Sequence, residues 1–146
     1  MASWRQQALI EAPVEVVWGL VGDPKRYPDW ASEVVEVTGL PAVDQGVTYT
    51  QTSRMPVGSR TTTFVVDELE DLRRIRLRCV ESGFYSQWHL TDARGSTFAD
   101  AEIGMDPAAL GPRLMDATIG KHWYRRLLGQ SLEGLREAVA RARAAG

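Results

Sequence analysis

The sequence contains few residues of the types that usually form metal or nucleophilic sites. Its only cysteine is Cys79, and its two histidines, His89 and His122, lie far apart in the chain. These residues do not have the ligand spacing of a zinc site, and no G-x-S-x-G motif presents a nucleophilic serine. Glycine-rich phosphate-binding loops are also absent from the sequence. We therefore predict no metal and no cofactor. His89 falls on the strand face opposite Trp88, and His122 lies away from the leucine stripe of the predicted C-terminal helix, so both histidines are expected at the surface.

The polar residues within apolar runs are a second source of chemistry. In "SRTTTFVVDELE", side chains alternate between the two faces of a predicted strand. If Phe64 faces the interior, Glu68 faces it as well; in the opposite register Val65 and Asp67 do so. On the predicted C-terminal helix, the spacing that places Leu128 on the core side also places Tyr124 and Lys121 there.

Glu68 and Lys121 then form a possible buried pair. A buried charge is costly unless it is paired, so the two side chains either pair with each other or together hold the polar end of a ligand. The alternative is that both lie at a solvent-exposed rim, with the aliphatic part of Lys121 over apolar neighbours.

Helical elements must position these residues at both ends of the chain. In "APVEVVWGLVGDPKRYPDW", Pro13 suits a first helical turn, and Val14, Val17 and Trp18 recur at helical spacing. Asp23-Pro24 ends this helix, and "KRYPDW" has room for one more short turn. Near the C-terminus, a long helix is predicted, with an apolar stripe formed by Leu128, Leu132, Leu135 and Val139.

The middle of the chain has the pattern of antiparallel strands. The runs "EVVEVTGL", "GVTYTQTSRM", "RRIRLRCV", "FYSQWHLTD" and "STFADAEIGM" are rich in β-branched and aromatic residues and are separated by turn sequences. In "RRIRLRCV", the arginines alternate with apolar residues, so one face is predicted to be solvent-exposed. The predicted fold class is α+β, a helix-grip fold: a curved antiparallel sheet of about seven strands around a long C-terminal helix, with two short helices after the first strand.

The segment "IEAPVEVVWGLVGDPKRYPDWASEVVEV" resembles the N-terminal signature of the START-like superfamily, specifically its polyketide cyclase/dehydrase and lipid-transport (SRPBCC) branch. The resemblance continues more weakly through "SQWHLTDARGSTFADAEIGM" and "LEGLREAVARA". It covers nearly the whole chain and implies a single domain over residues 1–146. The short helices would close the open end of the curved sheet, with Trp18, Tyr27 and Trp30 supplying apolar surface.

The resemblance also implies a cavity between the sheet and the long helix. It favours the register in which Phe64 and Glu68 face inward, and small residues such as Ala101 would leave space inside. The alternative is a filled core in which these small residues meet large side chains such as Trp88. We predict an entrance near Met55–Ser59 and the following lining residues: Tyr49, Gln51, Phe64, Glu68, Trp88, Ala101, Met105, Lys121 and Tyr124.

Two functions are compatible with such a cavity. Aromatase/cyclases of the superfamily use interior arginines and hydroxyl groups, but the matching positions here carry Glu68 and Cys79, and Val34 replaces a frequent tyrosine. We therefore expect binding or carrying of a small hydrophobic molecule, lipid- or polyketide-like. The alternative is a polyketide cyclase/dehydratase-type enzyme that uses Glu68 as general acid or base.

Bulk composition limits the possible partners. The 146 residues include 17 basic and 19 acidic side chains, a net charge of -2, which does not indicate a nucleic-acid partner. No apolar run has the length of a membrane helix, so membrane insertion is not expected. With a single cysteine no internal disulfide can form, and we expect a cytoplasmic protein. The oligomeric state stays open.

Overall fold

Seven strands and three helical segments form the fold of the computed structural model, which describes residues 2–55, 57–105 and 117–145, the side chains of 2 and 117–121 excepted. Strand β1 (Ala2–Ile10) precedes helix α1 (Val14–Val21) and a 3₁₀ helix (Pro24–Asp29). The remaining elements are β2 (Val34–Thr38), β3 (Thr48–Arg54), β4 (Ser59–Glu70), β5 (Arg74–Cys79), β6 (Phe84–Ala93), β7 (Ser96–Met105) and α2 (Ala117–Ala145).

The strands form one curved antiparallel sheet in the order β1-β7-β6-β5-β4-β3-β2. Consecutive strands from β2 to β7 are neighbours in the sheet. The first strand, β1, pairs with the last strand, β7, and so forms the other edge of the sheet. The long α2 lies on the inner face, where its buried leucines join the core formed by the sheet. The predicted helix-grip fold is therefore confirmed.

The two short helical segments pack together through aromatic side chains, which donate hydrogen bonds to carbonyl groups at the C-terminal end of α1. Pro13 precedes α1 in extended geometry, so the helix begins at Val14, one residue after the predicted start. The hydroxyl of Tyr27 donates to the carbonyl of Val21 at 2.7 Å, and the indole N–H of Trp30 donates to the carbonyl of Leu20 at 3.2 Å. These bonds use carbonyl groups that a helix C-terminus leaves without intrahelical partners.

A bulge in β4 reverses the alternation of its side chains. Up to Val66 the strand has the register that the resemblance favours, because Phe64 and Val66 are buried. The pairing with β5 then shifts between Val66 and Glu68, which inserts one extra residue, Asp67. After the shift Glu68 lies opposite Arg76 on the outer face and pairs with Arg74 at 2.6 Å. The prediction of an inward-facing Glu68 is wrong, because strict period-two alternation does not continue through a bulge.

The outer face of β5 carries the arginines, as predicted. Ile75, Leu77 and Cys79 are buried, while the intervening Arg74, Arg76 and Arg78 are partly exposed. Arg78 forms a two-point contact with Asp67, at 2.8 and 3.2 Å. The ion pairs on this face explain why the arginine side chains are only partly solvent-exposed.

Helix α2 docks onto the segment that leads into β2 through small residues on one of its faces. Ser131 and Gly134 lie on this face, one turn apart. Ser32 donates its backbone N–H to the Ser131 hydroxyl oxygen at 3.1 Å, and its own hydroxyl donates to the Leu127 carbonyl at 3.1 Å. A Cβ at Gly134 would overlap the carbonyl oxygen of Trp30. The helix therefore approaches the backbone of residues 30–33 more closely than a larger residue would allow. We call this contact the α2–β2 seam.

Neither α1 nor the described part of α2 combines the length and the hydrophobicity that crossing a bilayer requires.

Candidate functional site

A cavity of about 340 Å³ opens between the sheet and α2. This volume lies near the lower end of the range typical of small-molecule sites, roughly 300–1,000 Å³. The β3–β4 hairpin, the β5–β6 turn, the end of β7 and the first described turns of α2 contribute to its wall. Its described lining residues are Glu33, Ser53, Arg54, Met55, Arg60, Thr62, Phe64, Cys79, Glu81, Ser82, Phe84, Met105, Trp123, Tyr124 and Leu127.

A buried carboxyl group, Glu33, forms part of this wall. Its residue is 8% exposed, and its Oε2 accepts a hydrogen bond of 2.8 Å from the Ser131 hydroxyl. Within the described residues, no lysine, arginine or histidine forms an ion pair with it. Burial raises the pKa of Glu33 above its ordinary value, although hydrogen bonds from its own backbone N–H and from Ser131 act in the opposite direction. The raised pKa extends the pH range over which Glu33 is the neutral acid, the form that can donate a hydrogen bond.

The α2–β2 seam positions Glu33. Ser131 is 1% exposed and contacts both Ser32 and Glu33, so one serine fixes two consecutive residues before β2. The backbone N–H of Arg54 donates to the carbonyl of Glu33 at 2.7 Å, which holds the same residue from the β3 side. Contacts from a helix and a strand thus fix the main chain and the carboxyl group of Glu33.

The helix-side wall of the cavity is aromatic. Tyr124 stacks with Phe84 at a centroid distance of 5.8 Å and with Trp4 at 4.6 Å, and it contacts Trp123 edge-on at 4.9 Å. Its hydroxyl lies 3.7 Å from the Met105 sulfur, and burial raises the pKa of Tyr124 to about 12. This wall offers a rigid apolar surface with one hydroxyl group that stays protonated at neutral pH.

The thiol of Cys79 forms part of the sheet-side wall. Burial raises the pKa of a thiol, but in Cys79 hydrogen bonds from the Ser82 and Thr62 hydroxyls and from the backbone of Glu81 and Ser82 outweigh this effect and lower it. The residue is only 3% exposed. Cys79 thus adds a small polarisable group among hydroxyl donors.

Three of the predicted lining residues, Phe64, Met105 and Tyr124, do line this cavity. Tyr49 and Gln51 are buried behind its wall. The Tyr49 hydroxyl donates to the Gln51 Oε1 atom at 3.4 Å, and the Gln51 amide donates to the Ser53 hydroxyl at 2.9 Å. Ser53 is the member of this chain that reaches the cavity.

The other predicted lining residues lie elsewhere. Trp88 is 2% exposed and meets Trp30 edge-on at 5.1 Å, and Ala101, its cross-strand neighbour, is fully buried. Both residues belong to the hydrophobic core and are not among the described lining residues of this cavity, so their placement in a cavity wall stays a prediction. Glu68 lies on the outer face, as described above. The side chain of Lys121 lies outside the described residues, so its predicted pairing with Glu68 rests on no described contact.

Sequence reasoning did not identify Glu33, Ser131 or the rim residues Arg54 and Arg60. Glu33 is the first residue of the predicted strand "EVVEVTGL", and the local pattern gives no sign that it is buried. Its burial depends on Ser131, which lies 98 residues away in sequence. No local pattern could have predicted that contact. The exposed positions of His89 and His122 agree with the prediction.

The sequence profile of a family described as "Polyketide cyclase / dehydrase and lipid transport" matches residues 1–140. The chain belongs to this family. No curated protein matches it by sequence. Family membership supports a role in ligand binding or polyketide processing, without distinguishing between them.

Several solved structures share the fold. The Zhui aromatase/cyclase from Streptomyces sp. R1128 superposes with a TM-score of 0.79 at 20% identity, over 99% of this chain and 98% of the other. TTHA0849 from Thermus thermophilus gives 0.71 at 17% identity, over 97% and 99% of the two chains. StfQ, a di-domain aromatase/cyclase of the steffimycin biosynthetic pathway, gives 0.64 at 17% identity, over 99% of this chain and 52% of its own. At these identities the similarity establishes the fold alone.

Proposed function

We propose that the protein binds a small hydrophobic molecule in the cavity between the sheet and α2, with Glu33 as the hydrogen-bonding partner of a ligand oxygen. The observation that carries the proposal is a buried carboxyl group without a cationic partner among the described residues, at the wall of a largely apolar cavity. Small-molecule sites combine such apolar walls with a few fixed polar groups.

The type of group that Glu33 would bind follows from its raised pKa, which widens the pH range of the neutral form. A neutral carboxyl group donates one hydrogen bond, so it suits a carbonyl, ether or hydroxyl oxygen. Its Oε2 atom already accepts from Ser131, which fixes the orientation of the group. The aromatic wall around Tyr124 and Phe84 would contact the apolar part of the ligand.

The test compares one substitution inside the cavity with one outside it on the same strand. Ser53 faces the cavity, whereas Thr50 is exposed on the other face of β3. Binding of the neutral fluorescent probe N-phenyl-1-naphthylamine is measured for the wild type, Ser53→Phe and Thr50→Phe, with thermal melts to verify folding. We expect Ser53→Phe to weaken binding at least tenfold and Thr50→Phe to leave it unchanged. A wild-type protein that binds no neutral apolar probe would exclude the proposal.

A second candidate function is acid–base catalysis of the cyclase/dehydratase type, with Glu33 in the role that sequence reasoning gave to Glu68. It is favoured by the raised pKa of Glu33, since an acid with a pKa nearer neutrality transfers protons more effectively at neutral pH. Glu33 would protonate a ketone oxygen as a carbanion adds to its carbonyl carbon. Catalysis is supported if the wild type converts a poly-β-ketone thioester, whereas Glu33→Gln still binds the probe but does not convert the thioester. Equal conversion by both proteins would exclude Glu33 as the acid.

A further inference from the structure

Two arginines, Arg54 and Arg60, line the mouth of the cavity, and we call them the rim arginines. Arg60 follows the alternation of Thr62 and Phe64, so it extends the inward-facing row of β4 to the open end of the sheet. It lies directly opposite Ser53, and Arg54 is the next residue of β3. Two positive charges therefore stand at the same end of the β3–β4 hairpin, beside an apolar space.

The rim arginines differ from the arginines of the outer face in their partners. Arg5, Arg74 and Arg78 each pair with a carboxylate at 2.6–2.9 Å. Among the described residues neither Arg54 nor Arg60 forms an ion pair, and the one side-chain bond that involves either of them runs from Arg54 Nε to the Ser32 carbonyl, at 2.9 Å.

The carboxyl groups of the cavity do not neutralise this rim. Glu81 lines the same mouth, but its Oε1 accepts the backbone N–H of Thr63 at 3.0 Å, and it forms no ion pair within the described structure. Glu33 bonds to Ser131 and is held towards its neutral form by burial. The described part of the cavity thus has an apolar interior and a rim with two cationic groups that lack carboxylate partners.

We infer that the ligand is an amphipathic molecule with one anionic group, a carboxylate or a phosphate, held at the mouth by Arg54 and Arg60. The inference rests on the proposed function, since it assumes that the apolar part of the ligand occupies the cavity. Guanidinium groups suit both anions because their N–H groups match pairs of anionic oxygens. Arg60 has the more important role, because Arg54 already donates one of its N–H groups to the main chain.

The test measures displacement of N-phenyl-1-naphthylamine by three molecules with the same decyl chain: undecanoate, decyl phosphate and 1-decanol. We expect at least one of the two anions to bind about tenfold more tightly than the alcohol, and the stronger anion identifies the head group. Higher salt concentration should reduce this preference, because the rim is solvent-exposed. Arg60→Gln should lower the preference for the anion over the alcohol severalfold. The double variant Arg54→Gln/Arg60→Gln should abolish this preference, while probe binding remains.

Arg141→Gln is the matched control, because Arg141 is an exposed arginine near the end of α2 and is not among the lining residues. It should keep the full preference for the anion. Equal displacement by decanol and both anions, or a preference that survives the double substitution, would overturn the inference while the cavity proposal stands. If wild type does not bind the probe or any of the three molecules, the proposed function fails and the inference fails with it.

Discussion

The α2–β2 seam makes a quantitative prediction about two glycines of the same helix. Gly134 lies against the main chain of Trp30, and an added Cβ would overlap its carbonyl oxygen. At Gly129 an added Cβ would lie 3.7 Å from the Gln6 side-chain oxygen, which is an ordinary contact. Replacing each glycine by alanine therefore adds the same methyl group in a tight place and in an open one.

The magnitude follows from two opposing effects. Alanine stabilises a helix interior by about 1 kcal/mol relative to glycine, so Gly129→Ala should raise the free energy of unfolding by up to that amount. At Gly134 the same gain is opposed by overpacking, which typically costs about 1–3 kcal/mol. The main chain of Trp30 cannot move away easily, because Ser32, two residues later, is hydrogen-bonded to Ser131 and to the Leu127 carbonyl. We expect Gly134→Ala to be less stable than Gly129→Ala by about 1–3 kcal/mol.

Urea denaturation followed by circular dichroism and tryptophan fluorescence measures this difference, provided that both variants unfold with wild-type slopes. Because the seam also fixes Glu33, Gly134→Ala should in addition weaken probe binding, and Gly129→Ala should not. If Gly134→Ala were as stable as Gly129→Ala, the close approach of α2 to the main chain of Trp30 would be incorrect.

Four further predictions concern single residues. The pKa of Glu33 is raised in the folded state. Its contribution to stability is therefore complete below the pKa of the unfolded chain, roughly 4.3, and is lost as the pH rises through the pKa of the folded protein. Glu33→Gln should therefore become progressively more stable relative to wild type over that interval, and parallel stability–pH curves would contradict the assignment. Glu68→Gln should cost under about 1 kcal/mol and leave probe binding unchanged, because the side chain is 44% exposed on the outer face; loss of binding would place it in the site after all. Ala101→Phe should destabilise the protein by about 1–3 kcal/mol or more, since the residue is fully buried in packed core; a stable variant that only loses ligand binding would reveal a cavity there. A thiol reagent should label Cys79 far more slowly in the native protein than in urea, because the residue is 3% exposed, and bound probe should slow it further; equal native and denatured rates would contradict the burial of β5.

The sequence determined the architecture because the relevant signals are local. Prolines and the apolar spacing of Val14 and Val17 define α1, and alternation in "RRIRLRCV" assigns the faces of β5. Each of these signals depends on neighbours within a few residues, so it can be read without knowledge of the rest of the chain. The predicted core stripe of α2 is confirmed for the same reason, since Leu128, Leu132 and Leu135 are all buried.

The tertiary structure decided which polar groups meet at the cavity. One inserted residue at the bulge moves Glu68 to the outer face, and no feature of "FVVDELE" marks that insertion. The carboxyl group of the buried Glu33 accepts a hydrogen bond from Ser131, 98 residues away in sequence, next to the close contact of Gly134 with the main chain of Trp30. Side-chain alternation predicts only on which face of a strand a residue lies. How deeply a carboxyl group is buried, and whether it has a cationic partner, depends on residues distant in sequence. The fold could therefore be predicted from the sequence, but the identity of the buried acid required the packed structure.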